Sequence, residues 1–365
     1  MSAAGSSDDW SVAADAGDDT LATGSGNDTI HGGDGNDLIA SGSGDDLLTY
    51  TDDLIPTGYD TVDGGAGFDE ILALSAGTII RISSLTGIER ISAGGFANVG
   101  LYAGDGADTL DFSALDLVGI AAIKGGKGND TITGSAGNDT IFGGAGNDSL
   151  AGGAGDDVFL IGKPSAMDRF DGGTGTNRIL AASDYARIGI TSITNIQEIG
   201  SGGYAQVVIT GSAAADNLDF GSVQLTGIDS IVLGVGNDTL VGSSSADVIV
   251  GGAGADLLTG GAGADRFVFN LSTESRMGRY DRILDFTSGQ DFLDLHTIDA
   301  DSSTPGDQAF ILIGSSAFHG IAGELRVFQY GGMTCIRGDL NGDGRADFDI
   351  RLQAGLSLSA SDFIL

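Results

Sequence analysis

Cysteine is all but missing from this 365-residue chain: Cys335 stands alone, so no intrachain disulfide can form and any stapling has to come from another source. Proline is scarce, at 3 residues, and the 64 glycines keep no Gly-X-Y period, which excludes a collagen and a proline-rich linker. Positive charge is thin as well. Sixteen basic residues, only three of them lysines, face 51 acidic ones for a net charge of -35, so nucleic acid and anionic headgroups are repelled. The three histidines, His31, His296 and His319, are mutually remote, which leaves no HExxH zinc helix, and there is no G-x-S-x-G elbow or Walker loop. The opening MSAAGSSDDWSVAADAGDDT has no basic or apolar region to suggest a Sec-type signal peptide, and no run of 18 apolar residues suggests a transmembrane helix. Met1 is expected to begin a complete chain.

Charge of this size would fit disorder, but 41% of the residues are hydrophobic and they recur at a fixed spacing. The unit is G-G-x-G-x-D-x-U-x, with U large and apolar, in twelve tandem copies. TGSGNDTIH, GGDGNDLIA and SGSGDDLLT follow a looser ADAGDDTLA that begins at residue 14; GGKGNDTIT, GSAGNDTIF, GGAGNDSLA and GGAGDDVFL fill 125–160; LGVGNDTLV, GSSSADVIV, GGAGADLLT and GGAGADRFV fill 233–268. Small residues at places one, two and four permit positive φ and turn the chain, exposing carbonyl oxygens, and places seven to nine are β-formers with one inward residue. Each nonapeptide therefore makes one turn and one strand, and two complete a coil. The fold expected is all-β, a parallel β-roll or β-solenoid with metal-bound turns. Its inward residues would be Leu21, Ile30, Ile39, Leu48, Ile132, Ile141, Leu150, Phe159, Leu240, Ile249, Leu258 and Phe267.

A core one side chain thick per strand can hardly offset the entropy of ordering so much glycine, so the turns must contribute. Unaided, their aspartates would repel one another. Oxygen ligands of this kind suit a hard cation, calcium rather than magnesium. Several calcium ions are expected at Asp19, Asp28, Asp37, Asp46, Asp130, Asp139, Asp148, Asp157, Asp238, Asp247, Asp256 and Asp265. The turn glycines expected to complete these sites are Gly33, Gly35, Gly126, Gly128, Gly144, Gly146, Gly153, Gly155, Gly252, Gly254, Gly261 and Gly263. A single GxGxxD is ordinarily a solvated turn; tandem repetition is what favours metal.

The segments between blocks conceal a larger repeat. GGAGFDEIL from residue 64 and GGTGTNRIL from residue 172 start stretches that align without a gap at an offset of 108, carrying Asp108 onto Asp216 and Asp148 onto Asp256. The offset equals six 18-residue coils, so residues 73–124 and 181–232 are expected to continue the solenoid as calcium-poor coils, with a compact inserted β-element as the alternative. Asn177 replaces the aspartate of its unit, and Asp69, Asp108 and Asp216 lie where the array is broken, which makes them weak candidates. The boundaries expected are a tail at 1–13, a first block at 14–72, repeats at 73–180 and 181–270, and a C-terminal β cap at 271–365.

The nonapeptides resemble those of the RTX family, and the segments DRILDF, GQDFLDL, NGDGRADF and DFIL resemble the domain that follows the roll in serralysin-type proteases. The protease domain itself has no counterpart here. The resemblance implies calcium held between successive turns, and it implies type I secretion through a C-terminal signal, a role that Asp362, Phe363, Ile364 and Leu365 fit. It also suggests that Asp281 completes the last calcium turn. In DLNGDGRAD, Asp339, Asn341 and Asp343 have the spacing of an EF-hand opening, but Ile350 stands where the closing glutamate belongs, and a tight Asn-Gly hairpin explains the residues equally well. His31 reads as a solvent-facing strand residue and Cys335 as a buried small hydrophobe. Three functions remain open: a secreted non-enzymatic protein of the cell surface or matrix that binds a glycan or another surface component, an accessory module of a larger secreted enzyme, and an enzyme acting on a polysaccharide. The type I secretion apparatus is the partner that the resemblance implies, and the location is extracellular.

Overall fold

The computed structural model describes residues 7–51, 58–163 and 166–365; residues 1–6 of the expected tail lie outside this set. It divides into two compact units, Met1–Ala182 with Ile193–Ile196, and Ser183–Ser192 with Gln197–Leu365. Both are built from short strands, and the one helical element among the described residues is the 3-10 turn Ala360–Asp362.

In the first unit, successive strands alternate between two parallel sheets. Thr20–Ala22, Leu38–Ala40, Asp60–Asp63 and Ile79–Thr86 build one; Ser11–Ala13, Thr29–His31, Leu47–Tyr50, Glu70–Ala73 and Arg90–Ser92 build the other. Register follows the U position, with Leu21 beside Ile39 and Ile39 beside Val62 on one sheet, and Ile30, Leu48, Ile71 and Ile91 in file on the other. Each inward residue thus stacks on its equivalent one coil away, and none of the twelve expected core residues is more than 2% exposed.

The segment 73–124 stays in the solenoid but changes its cross-section. Gly100–Tyr102 continues the first sheet and Asp116–Val118 ends the second, while Thr109–Asp111 between them starts a third sheet, which Thr131–Thr133, Ser149–Ala151 and Met167–Asp171 extend. This coil therefore has three strands. The second unit repeats the device 108 residues later: Gln224–Thr226 pairs with Glu198–Gly200, and Asn217–Asp219 starts a sheet continued by Thr239–Val241, Leu257–Thr259 and Asp281–Ile283. Parallel coils, rather than an inserted β-element, occupy both intervening segments.

At the C-terminus Asp281–Ile283 pairs in parallel with Phe348–Leu352, which leads antiparallel into Met333–Asp339 and Glu324–Tyr330. Phe292–Asp294 carries the other face of the roll, and Phe363–Ile364 is its last strand, with Phe363 in register with Leu293.

Candidate metal sites

The turn aspartates form ladders. The backbone N–H of each donates to the Oδ1 of its equivalent one coil further on: Asp28 to Asp46 at 2.7 Å, Asp46 to Asp69 at 2.9 Å, Asp130 to Asp148 at 2.9 Å, Asp238 to Asp256 at 2.9 Å and Asp256 to Asp281 at 2.8 Å. Asp19 to Asp37, Asp108 to Asp130, Asp139 to Asp157, Asp216 to Asp238 and Asp247 to Asp265 do the same on their edges. Each carboxylate is consequently held by one oxygen and drawn out of water. Small turn residues make this possible. A Cβ at Gly251 would stand 2.6 Å from Asp256 Oδ2, and one at Gly134 would stand 2.7 Å from Asp139 Oδ2. Gly144 and Gly146, at φ +114° and +124°, let one turn settle on the next. Of the twelve expected turn glycines, all but Gly254 have positive φ.

The other oxygen separates the ladder into two kinds of rung. In Asp37, Asp46, Asp69, Asp130, Asp148, Asp157, Asp238, Asp256 and Asp281, Oδ2 is buried and meets no hydrogen-bond partner. A buried anionic oxygen without a donor is costly, and a row of them spaced by single coils calls for a cation. In Asp108, Asp139, Asp216 and Asp247 the turn itself supplies the donor: the N–H of Gly104, Ser135, Ser212 or Ser243 reaches Oδ2 at 2.6–2.9 Å. Burial, reinforced by the charge of the preceding rung, pushes Asp148, Asp157, Asp256 and Asp69 up to about 6 and Asp281 up to about 8. These residues fit a hard cation through the open carboxylate oxygens. Several turn carbonyls, by contrast, are already engaged: Gly42 O accepts from Ala66 and Ser135 O accepts from Ala154.

Most expected site residues thus fall on the ladders, with three revisions. Asp69, ranked weak for its broken surroundings, is fully buried and as open as the mid-block aspartates. Asp139 and Asp247, expected among the calcium aspartates, accept the N–H of their own turns. Asp60 and Asp168 are ladder rungs absent from the sequence expectations: Asp37 N donates to Asp60 Oδ1 at 3.0 Å and Asp148 N to Asp168 Oδ1 at 2.9 Å. Asp291 is a third, accepting from Asp265 N at 3.0 Å. Asn177 serves as a neutral rung for Asp157 N at 2.9 Å, and Asp281 Oδ1 accepts Asp256 N at 2.8 Å.

The EF-hand candidate residues are occupied otherwise. Asp339 Oδ1 accepts from Gly342 N and Oδ2 from Gly344 N, Asn341 Oδ1 accepts from Asp343 N, and Asp343 Oδ1 accepts from Arg345 N. The strands on either side are antiparallel, but residues 340–347 join them, a longer loop than the tight Asn-Gly turn expected. His31 is half-buried with Nδ1 2.7 Å from Thr49 O, and Cys335 is fully buried with its thiol pushed up by desolvation.

Stacked coils with a carboxylate row along the turns define a metal-binding β-solenoid. The sequence matches the model of the RTX calcium-binding nonapeptide repeat over residues 14–48, 124–159 and 226–267. These stretches are RTX calcium-binding nonapeptide repeats, and several calcium ions are the cofactor they take. Among solved structures it is similar to the AlgE6R2 subunit of the Azotobacter vinelandii mannuronan C5-epimerase, at 28% identity over 42% of this chain and 90% of that one, with a TM-score of 0.32. It is similar also to the extracellular lipase LipA of Serratia marcescens, at 18% identity over 74% of this chain and 45% of that one, with a TM-score of 0.30. No curated protein matches it.

Proposed function

We propose that the chain leaves the cell unfolded through a type I apparatus, folds when calcium fills its aspartate ladders, and then serves as a binding or structural component of the cell surface or matrix. The observation that carries this reading is the row of buried carboxylate oxygens without partners. Calcium is scarce in the cytosol and plentiful outside, so the same ladders keep the chain threadable within and fold it beyond the membrane.

The C-terminal residues support that order of events. Asp362 is fully buried, and its carboxylate accepts the N–H of Gly289 and of Ser359, each at 2.6 Å, while Phe363 lies in the sheet beside Leu293. A signal read by an export apparatus has to be accessible, so reading has to precede folding. Far-UV circular dichroism during a calcium titration tests the proposal. A cooperative coil-to-β transition, reversed by a chelator and poorly reproduced by magnesium, is expected; a calcium-indifferent spectrum would refute it.

A further inference from the structure

The outer face of one sheet in the first unit carries a row that the ladders do not explain. Arg81, Tyr102, Lys124 and Phe142 stand in register on four successive strands. Their neighbours Ile80, Leu101, Ile123 and Ile141 are core residues at most 1% exposed, so the row points away from the core. Tyr59 adjoins it. The Arg81 guanidinium lies 5.6 Å from the Tyr59 ring centroid and 6.0 Å from that of Tyr102. Lys124 Nζ is 4.5 Å from the Tyr102 centroid and donates to its hydroxyl at 2.6 Å. Cation and aromatic alternate along the row.

Among the described residues neither of these two cations forms an ion pair. Of the four basic residues between Ile79 and Lys127, Arg90 pairs with Asp116 at 3.0 Å and Lys127 with Asp105 at 2.6 Å. Arg81 and Lys124 have no carboxylate within 4.0 Å among the described residues, and Arg81 Nε is buried without an acceptor.

The duplication shows that the coil itself does not require the row. At the offset of 108 the corresponding registers hold Gly189, Thr210, Val232 and Val250, while the core keeps Ile188, Ile209, Ile231 and Ile249. One copy holds glycine, threonine and valine at these registers and the other two cations and two aromatics, over an interior that differs only in Leu101 for Ile209.

We propose that this row binds an acidic polysaccharide, one whose sugars bear carboxylates, laid across the strands. Arg81 and Lys124 would take the carboxylates, and pyranose faces would stack on Tyr59, Tyr102 and Phe142. Neighbouring strands lie about 4.8 Å apart, which sets the two cations about 10 Å apart, on the scale of two sugar units in an extended chain. The inference rests on the calcium-dependent, surface-binding function proposed above and names its ligand class.

The test uses the full chain in calcium with short polygalacturonate oligomers as probe, read by calorimetry, and circular dichroism reports folding in parallel. Saturable binding is expected, weakened at least tenfold by Arg81→Gln with Lys124→Gln and by Tyr102→Ala, with the calcium-driven spectrum unchanged. Arg282→Gln, exposed in the second unit, should bind as the parent does. Equal binding by the double variant would show calcium bridging to the aspartates and overturn the proposal, as would no binding by the folded parent. Equal affinity for a neutral dextran oligomer or for single-stranded DNA would overturn the ligand class. A parent chain that calcium fails to fold would instead refute the function itself, which the spectrum scores separately.

Discussion

Chelation at neutral pH should unfold the solenoid, and acid should restore part of it. Nine ladder carboxylates among the described residues have a buried oxygen without a partner. Leaving such a group unsatisfied costs about 1–3 kcal/mol, so without calcium the nine cost on the order of 10–25 kcal/mol. A domain is stable by only about 5–15 kcal/mol, so the deficit decides the outcome. Protons can replace calcium here. Burial raises Asp69, Asp148, Asp157 and Asp256 to about 6 and Asp281 to about 8, above the ordinary 3.8, so the fold holds more protons than the unfolded chain between those limits. Lowering the pH through that window therefore favours the metal-free fold, whereas calcium affinity falls over the same window because protons compete for the ligands. Circular dichroism in chelator should show coil at pH 7.5 and a growing β signal toward pH 5, still above the pI near 4.1. Full β signal in chelator at pH 7.5, or no gain on acidification, would refute the reasoning.

Asp148→Asn and Asp69→Asn should each lower calcium affinity at least tenfold, about 1.4 kcal/mol, whereas Asp139→Asn and Asp247→Asn, whose second oxygens already hold a turn N–H, should change it less; calorimetric titration separates the two groups. Gly251→Ala would set a Cβ 2.6 Å from Asp256 Oδ2 and should raise the calcium midpoint of folding, read by circular dichroism. Removing residues 362–365 should abolish appearance in the medium of cells carrying a type I apparatus, and a parent chain already folded on calcium should not be exported.

Core and coil were legible because a nine-residue period needs no knowledge of partners: Ile39 and Ile141 face inward wherever one turn and one strand alternate. Asp60 was hidden because a 23-residue step separates it from Asp37, and Asp168 because a 20-residue step separates it from Asp148, so both fall outside a gapless 18-residue frame. In each case the strand keeps its U residue, Val62 and Phe170, and a search that allowed insertions at the turns would have found them. Asp69 was undervalued for a different reason. Its chain neighbours are weak, but the geometry depends on Asp46, one coil away in space. The three-strand coil at 100–118 was not legible at all, since its strands have the same short apolar alternation as the others and only their pairing sets them apart.

The two kinds of rung follow from position. Every open aspartate has an aspartate one coil before it, whose N–H holds Oδ1 and turns Oδ2 inward. Among the described residues Asp108, Asp139, Asp216 and Asp247 receive no N–H from a preceding aspartate, and they fold back onto their own turns, as a solitary turn aspartate does in water. A ladder therefore creates cation sites only from its second rung onward, which explains why one GxGxxD is a turn and a tandem is a metal protein. Asn177 permits a test by addition. It already accepts Asp157 N at 2.9 Å, and its Nδ2 donates to Asn195 O at 3.2 Å. Asn177→Asp would keep the first contact and replace the donor with an anionic oxygen facing that carbonyl, an arrangement that requires a cation. Equilibrium dialysis should count one more calcium per chain, and folding should need more calcium than the parent does. An unchanged count with unchanged folding would show that a preceding rung is not what makes a site.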